Sequence, residues 1–232
     1  MNLQNLSDVL QEISSGNNLG EEITLVGATK TVPVETINLA IEKGLKVVAE
    51  NKVQEFNQKH EFILGAKQHF IGHLQTNKVK YLVGKVELIH SVDSVKLASE
   101  ISNCAVKRNV VQNILLEVNV GGELSKSGFS IENVEDCLKE ITSLTGIKVV
   151  GLMAMLPKTD DLALKEKLCL QMRELFDKLK AQGLPFEYLS MGMSNDYKTA
   201  IKCGSNMIRL GSYIFGQRNY GDTQNGIIWY FW

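Results

Sequence analysis

The strongest constraint on the fold of this chain is the repeated alternation of short apolar runs with amphipathic segments. Eight apolar runs, from "ITLVGAT" at residue 23 to "NMIRLGS" at residue 206, alternate with segments of helical periodicity. Strands joined through helices by right-handed connections form a parallel sheet. Eight such units predict a single closed (β/α)₈ TIM barrel, a fold of typically about 250 residues. An open doubly wound sheet is the alternative.

Several helix boundaries are predicted along with this alternation. Leucine, valine and isoleucine residues recur at helical spacing over 3–13, which indicates an extra N-terminal helix before the first strand. A helix is expected over roughly 76–84. Asp93 is a suitable N-cap for a helix that reaches about residue 106, and a short helix is expected over 195–203.

Composition excludes several classes of protein. The 232 residues carry 25 Lys and Arg against 26 Asp and Glu, a net charge of −1, so no basic field attracts nucleic acid or a membrane surface. No apolar run approaches the ~20 residues of a membrane span, and the N-terminus lacks the pattern of a signal peptide. We therefore expect a cytoplasmic protein whose residues 1–232 form one domain, with its 4 cysteines as free thiols.

The first strand ends on a lysine, Lys30, at the face where such barrels carry their functional residues. Burial disfavours the ammonium form of a lysine, and a neutral amine can attack a carbonyl group to form a Schiff base. The alternative is a lysine whose side chain extends to solvent. The sequence around Lys30 does not by itself decide between these interpretations.

The end of the chain favours the Schiff base. Ser194 lies just before a short helix, and Gly211 and Ser212 follow the last strand. The loops after strands 7 and 8 are the common phosphate site of this barrel, although Ser194 could be an ordinary N-cap. A Schiff-base lysine opposite a phosphate site suggests pyridoxal 5′-phosphate (PLP).

Arg209 lies inside the last apolar strand, where a charged residue needs a partner. The partner could be an acidic side chain on a helix or the pyridine nitrogen of PLP. An arginine at that nitrogen leaves the nitrogen unprotonated, and this makes the ring a weaker electron sink than an aspartate would.

Seven segments together resemble the YggS/PROSC family of PLP homeostasis proteins, in order from about residue 20 to 220. They are "ATKTVP", "AENKVQEF", "HFIGHLQTNK", "SKSGF", "GLMAM", "SMGMSNDYKTAI" and "IRLGSYIFG". The resemblance implies a barrel of the alanine-racemase N-terminal domain type with PLP bound covalently to Lys30. The cofactor-binding residues that it implies are Lys30, Asn51, His69, Met193, Ser194, Arg209, Gly211 and Ser212. Met191 would lie beside the phosphate loop or in the core, and Lys126 could receive or hand over an aldehyde.

The resemblance implies a non-enzymatic protein that holds PLP and takes part in vitamin B6 and amino-acid homeostasis, with apo PLP-dependent enzymes as transient recipients. A PLP-dependent amino-acid racemase is the alternative, and an aldolase that uses a Schiff base without PLP is a third hypothesis. Racemisation needs a second base, for which Tyr197 and Tyr213 are candidates. We expect a monomer. The apolar tail over 221–232 departs from the family pattern and is typical of a docking or self-association segment.

Overall fold

The computed structural model describes residues 1–123 and 126–216 of the chain. Eight parallel strands close into a barrel in chain order, and the first strand pairs with the last. The strands are β1 (Thr24–Ala28), β2 (Val47–Glu50), β3 (Lys67–Phe70), β4 (Leu88–Val92), β5 (Gln112–Val118), β6 (Ile147–Ala154), β7 (Tyr188–Ser190) and β8 (Met207–Leu210). The predicted (β/α)₈ barrel is thereby confirmed, and the open sheet is excluded.

Helices connect the strands and precede the barrel. They are α1 (Leu3–Ile13), α2 (Val34–Glu42), α3 (Val53–Lys59), a 3₁₀ helix (Thr76–Tyr81), α4 (Val95–Lys107), α5 (Val134–Thr142), α6 (Leu162–Ala181), α7 (Tyr197–Lys202) and α8 (Ser212–Phe215). The extra N-terminal helix is confirmed as α1. Its start is held to α8, because the backbone N–H of Asn2 donates to the carbonyl of Ile214 at 2.7 Å.

Two helix predictions differ from the structure in detail. The helix expected over 76–84 is a short 3₁₀ helix. The N-cap of α4 is Ser94 rather than Asp93, because the extended Ser94 accepts the N–H of Leu97 on its hydroxyl at 3.3 Å. Asp93 instead accepts a hydrogen bond from the Ser94 hydroxyl at 3.1 Å.

Alternate side chains of the strands fill the barrel interior, as expected for a period of two residues. This inner cluster consists of Val26, Val47, Ala49, Leu88, Leu115, Val150, Met153 and Met207. The larger apolar clusters lie between the strands and the surrounding helices. Because Arg209 lies two residues after Met207, and Asn51 two after Ala49, the same alternation places both side chains on the inward face near the carboxyl ends of the strands.

The apolar tail predicted over 221–232 lies outside the described residues. Within 1–123 and 126–216, none of the helices is both long enough and apolar enough to cross a membrane.

Candidate functional site

A cavity of about 1390 Å³ lies at the carboxyl ends of the strands. All predicted cofactor-binding residues except His69 line it, namely Lys30, Asn51, Met193, Ser194, Arg209, Gly211 and Ser212. These residues come from the loops after β1, β2 and β7, from β8 and from the start of α8. Positions far apart in the sequence therefore meet at one end of the barrel, where this fold carries its functional sites.

The backbone before Lys30 is held by a buried ion pair. Strand β1 ends at Ala28, two residues earlier than the sequence suggested. Thr29 is fully buried, and its hydroxyl donates to the Glu50 carboxylate at 2.7 Å. The ammonium of Lys59 lies 3.0 Å from the same carboxylate oxygen and donates to the carbonyl of Thr29 at 3.1 Å. The residue preceding Lys30 is thus fixed through both its side chain and its carbonyl.

The backbone after Lys30 is held by Lys59 through a second carboxylate, that of Glu55. Thr31 has a φ of 63°, in the left-handed region that β-branched residues rarely adopt. Its N–H donates to Glu55 at 2.8 Å, and Glu55 lies 2.9 Å from Lys59. Although burial acts to raise it, the pKa of Glu55 is lowered by the Thr31 N–H and Lys59. The turn that carries Lys30 is therefore pinned on both sides.

Asn51 presents an open hydrogen-bonding position to the cavity. Within the described part of the chain its buried Oδ1 has no hydrogen-bond partner. The neighbouring Gly72 passes so close that a Cβ there would lie 1.9 Å from the carbonyl oxygen of Asn51. A buried amide left unpaired in the protein is suited to a polar group of a ligand.

The loops after β7 and β8 meet through two hydroxyls. The Ser212 hydroxyl donates to the Ser194 hydroxyl at 3.2 Å, and the backbone N–H of Tyr213 donates to the same oxygen at 3.3 Å. Ser194 is therefore not the N-cap of α7, a position that Asp196 occupies. Its side chain instead joins the two loops, so that both hydroxyls lie at the same part of the cavity.

Arg209 is a buried cation that is held by three hydrogen bonds to the neighbouring strands and also lines the cavity. Only 5% of the residue is exposed. One terminal nitrogen donates to the carbonyl of Ser190 at 2.8 Å and to its hydroxyl at 2.7 Å, and the other donates to the carbonyl of Ala154 at 3.0 Å. Burial lowers the pKa of Arg209 to about 10, against the attraction of Glu117, and this leaves the guanidinium charged at neutral pH.

Two buried histidines, His69 and His90, extend the contacts of Arg209 into a series of hydrogen bonds. Nδ1 of His90 lies 3.2 Å from the Ser190 hydroxyl, and Nε2 of His90 lies 3.0 Å from Nδ1 of His69. Because Arg209 donates to the Ser190 oxygen, the serine proton has only His90 Nδ1 as an acceptor among the described residues. His90 then carries its proton on Nε2 and donates to His69.

This series of hydrogen bonds explains how His69 can act on the site although it does not line the cavity. Burial, with the charge of Lys67, lowers the pKa of His69 to about 3, and burial, with the charges of His69 and Arg209, lowers the pKa of His90 well below its usual value. Both rings are neutral at pH 7. His69 does not line the cavity, and it reaches Arg209 through His90 and Ser190.

Other residues named from the sequence lie apart from the cavity lining. Met191 packs in the core, whereas Met193 lines the cavity. Lys126 pairs with Glu123 at 2.7 Å. Tyr197 is buried against α1 and donates to Glu12 at 3.0 Å, and Tyr213 does not contact the cavity either.

Sequence reasoning missed four contributors to this site. The roles of His90 and Ser190 depend on contacts between strands distant in sequence, although both lie near strand ends, where polar residues are informative. Lys59 could have been found from its spacing, because a lysine four residues after a glutamate on a helix predicts an ion pair with it. Lys165 lines the cavity from α6 and is only 8% exposed. Within 1–123 and 126–216 no group of three or more histidine, cysteine or acidic residues could hold a metal ion.

Comparison with known proteins agrees with this geometry. The profile of the family "Alanine racemase, N-terminal domain" matches residues 21–219. A pyridoxal phosphate homeostasis protein of Aquifex aeolicus is 43% identical over 221 residues, which cover 94% of this chain and 96% of the relative. The protein of the same name from Escherichia coli K12 is 32% identical and is covered to 96%.

Solved structures show the same fold. PipY of Synechococcus elongatus, described with PLP bound, matches with a TM-score of 0.82 at 27% identity over 92% of this chain and 99% of PipY. An alanine racemase of Clostridium difficile has a TM-score of 0.76 at 15% identity, and the match covers only 61% of it, so it supports the fold alone. The chain therefore belongs to the alanine racemase N-terminal domain family and, within it, to the pyridoxal phosphate homeostasis proteins.

Proposed function

We propose that this protein binds PLP in the cavity at the carboxyl ends of the strands and holds it as a Schiff base on Lys30. The observation that carries the proposal is the convergence of a lysine, a pair of hydroxyls and a buried arginine on one cavity. When bound, PLP supplies a reactive aldehyde and an electron-withdrawing ring. The names of the homeostasis relatives and the PLP-bound PipY support the same ligand.

The residues that line the cavity fit the parts of PLP. The amine of Lys30 condenses with the aldehyde and releases one water, a step that hydrolysis reverses without any redox partner. The hydroxyls of Ser194 and Ser212, with the backbone of Gly211, suit the phosphate. Arg209 suits the pyridine nitrogen, and the unpaired Oδ1 of Asn51 offers a position for another polar group of the ring.

His69 takes an indirect part in this proposal. The resemblance places it among the residues that bind the cofactor, whereas in the structure it is separated from the cavity by His90 and Ser190. We infer that it orients Arg209 through these hydrogen bonds. Met193 contributes apolar surface beside the loop that carries Ser194.

The biological role that we propose is to hold PLP and deliver it to apo PLP-dependent enzymes inside the cell. The reversible linkage to Lys30 allows release by hydrolysis. Arg209 cannot protonate the pyridine nitrogen as an acidic residue could, so the ring stays a weak electron sink. Neither Tyr197 nor Tyr213, the residues considered as a second base for racemisation, lines the cavity.

The linkage is tested by the visible absorbance of the PLP-loaded protein and by borohydride reduction followed by peptide mass analysis. We expect the mass of the reduced cofactor on the peptide that contains Lys30, and complete loss of the absorbance in Lys30→Ala. Lys46→Ala, which removes an exposed lysine, is the matched control. Full absorbance in Lys30→Ala would show that another lysine holds the cofactor.

The role in delivery is tested by transfer of PLP from the loaded protein to an apo-enzyme. We expect activation of the apo-enzyme to be faster than release of PLP from the loaded protein into solution, because direct transfer bypasses that release. Equal rates would contradict direct delivery. Rapid racemisation of amino acids by the loaded protein would instead establish the enzymatic alternative.

A further inference from the structure

The buried stripe of α6 begins with a lysine. Most positions that recur along this helix at helical spacing carry apolar side chains, and all of them pack inward. The buried residues are Lys165, Leu168, Cys169, Met172, Leu175, Phe176 and Leu179. Because α6 runs back along the barrel from the end of β6, its first turn lies at the mouth of the barrel. Lys165 is therefore the member of the stripe closest to the cavity.

Lys165 lines the same cavity as Lys30 and Ser194, and it is only 8% exposed. Its ammonium forms no hydrogen bond or ion pair with any residue in 1–123 or 126–216. Asp161, one turn earlier, uses its carboxylate to cap α6 by accepting the N–H of Leu164 at 3.0 Å. Lys59, in contrast, has two carboxylates within 3.0 Å. A buried lysine at the cavity is thus left without a protein anion.

The Nζ atom of Lys165 is not one of the buried polar atoms that lack a partner among the described residues, so its ammonium reaches the cavity while its stem packs in the stripe. A methionine or leucine at position 165 would complete the apolar stripe of α6. The position instead carries a cation in a cavity of about 1390 Å³, which exceeds the usual range of about 300–1,000 Å³ for small-molecule sites. A cavity of this volume has room for more than one polar group of a ligand.

We propose that Lys165 is the cationic anchor of an anion subsite in this cavity, one that binds an anionic group of the ligand. The group is a phosphate or a carboxylate, and it comes either from the cofactor itself or from an amino acid that enters beside it. The identity of the ligand rests on the proposed PLP function, whereas the existence of the anion subsite rests only on the geometry of Lys165.

The test uses the full-length protein and the substitutions Lys165→Met and Lys165→Arg. The matched control is Lys167→Met, because Lys167 lies on the same helix, is exposed and does not line this cavity. If Lys165 holds the cofactor phosphate, Lys165→Met weakens PLP binding by about tenfold or more, the effect of one charge-assisted hydrogen bond. Binding of pyridoxal, which lacks the phosphate, stays unchanged, and Lys165→Arg restores most of the affinity for PLP.

If Lys165 holds a substrate carboxylate, PLP binding is unaffected by Lys165→Met. The concentration of L-alanine needed to change the absorbance of the bound cofactor then rises about tenfold. Alaninamide, which lacks the carboxylate, acts equally on the variant and the wild type. The comparison of alanine with alaninamide thus separates this source of the anion from the cofactor phosphate.

The urea midpoint of the cofactor-free protein tests the subsite independently of PLP. Inorganic phosphate should raise the midpoint of the wild type and of Lys167→Met by the same amount, and the midpoint of Lys165→Met by less. A wild type that binds no PLP but shows this phosphate effect disproves the proposed function and keeps the subsite. The proposal is overturned if Lys165→Met matches Lys167→Met with PLP, alanine and phosphate alike.

Discussion

The barrel interior and the rim of the cavity each contain a buried cation, but only the interior one is paired with protein groups. Arg209, in the interior, donates three hydrogen bonds to Ser190 and Ala154. Lys165, at the rim, has no partner within the described residues and is nearly as buried. The difference indicates two roles, because a cation bonded to the strands is a fixed part of the scaffold, whereas one without a protein partner is a position for binding an anion.

The same contrast separates the polar residues of the two regions. In the interior, the side chains of His69, His90 and Ser190 bond to one another in series. At the rim, the Oδ1 of Asn51 has no partner in the described part of the chain. The interior therefore holds the site rigid, and the rim leaves open the hydrogen-bonding positions that a ligand can fill.

Replacing Arg209 with Met should produce the largest effect. Removal of the guanidinium leaves the Ser190 and Ala154 acceptors unpaired in the interior, and each buried acceptor left unpaired costs about 1–3 kcal/mol. The free energy of unfolding, measured in urea, should fall by about 3–5 kcal/mol for these acceptors together, whereas the same substitution at Lys165 should change it by less than about 0.5 kcal/mol. Equal losses for the two substitutions would contradict the distinction between interior and rim.

The buried histidines should make stability depend on pH. Their folded pKa values lie below the unfolded value of about 6.5. Above that pH both rings are neutral in both states. Below it the unfolded chain takes up protons that the folded chain does not, so the free energy of unfolding falls, by up to about 1.4 kcal/mol per pH unit for each histidine.

Urea titrations between pH 7 and pH 5 measure this dependence. His90→Gln should remove one histidine's share of the slope, whatever its effect on stability at pH 7. His73→Gln is the control, because 65% of the His73 side chain is exposed. If the dependence of the unfolding free energy on pH were the same in His90→Gln as in the wild type, His90 would take up a proton in the folded protein as readily as in the unfolded chain. The series of neutral hydrogen-bonded side chains would then be wrong.

Most of the fold could be predicted from the sequence, because the alternation of strands and helices is a local pattern that repeats eight times around the barrel. Lys30, Ser194 and Arg209 could be predicted to meet, because the fold brings the carboxyl ends of its strands together. The boundaries were less accurate. Strand β1 ends before Lys30 because the left-handed Thr31 turns the chain, and that conformation depends on Glu55 from another helix.

The connections beneath the site could not be predicted in this way. The contact of His90 with Ser190 joins β4 to β7 across the barrel interior, and neither residue has a local signal for the other. Lys165 was overlooked for a different reason. A single lysine near the start of a helix is typical of an exposed position. Only the structure shows that Lys165 is buried at the cavity.

Replacing Asn51 with Ala should have the smallest effect on stability. Two asparagines follow barrel strands, Asn51 after β2 and Asn119 after β5. The Asn119 side chain bonds to the backbone of Glu123 and of Lys126, whereas the Oδ1 of Asn51 has no partner in the described residues. We expect Asn51→Ala to change the free energy of unfolding by less than about 0.5 kcal/mol, and Asn119→Ala to lower it by about 1–3 kcal/mol.

The order should reverse when PLP binding is measured. Asn51 lines the cavity, and loss of one hydrogen bond to a ligand weakens binding by about three- to tenfold. Asn119 does not line the cavity, so Asn119→Ala should leave the affinity within about twofold once the protein is folded. Titration of both variants with PLP, followed by absorbance, measures the difference. If Asn51→Ala destabilised the protein and left PLP affinity intact, the open position at Asn51 would belong to the scaffold, and the contrast between interior and rim would rest on Lys165 alone.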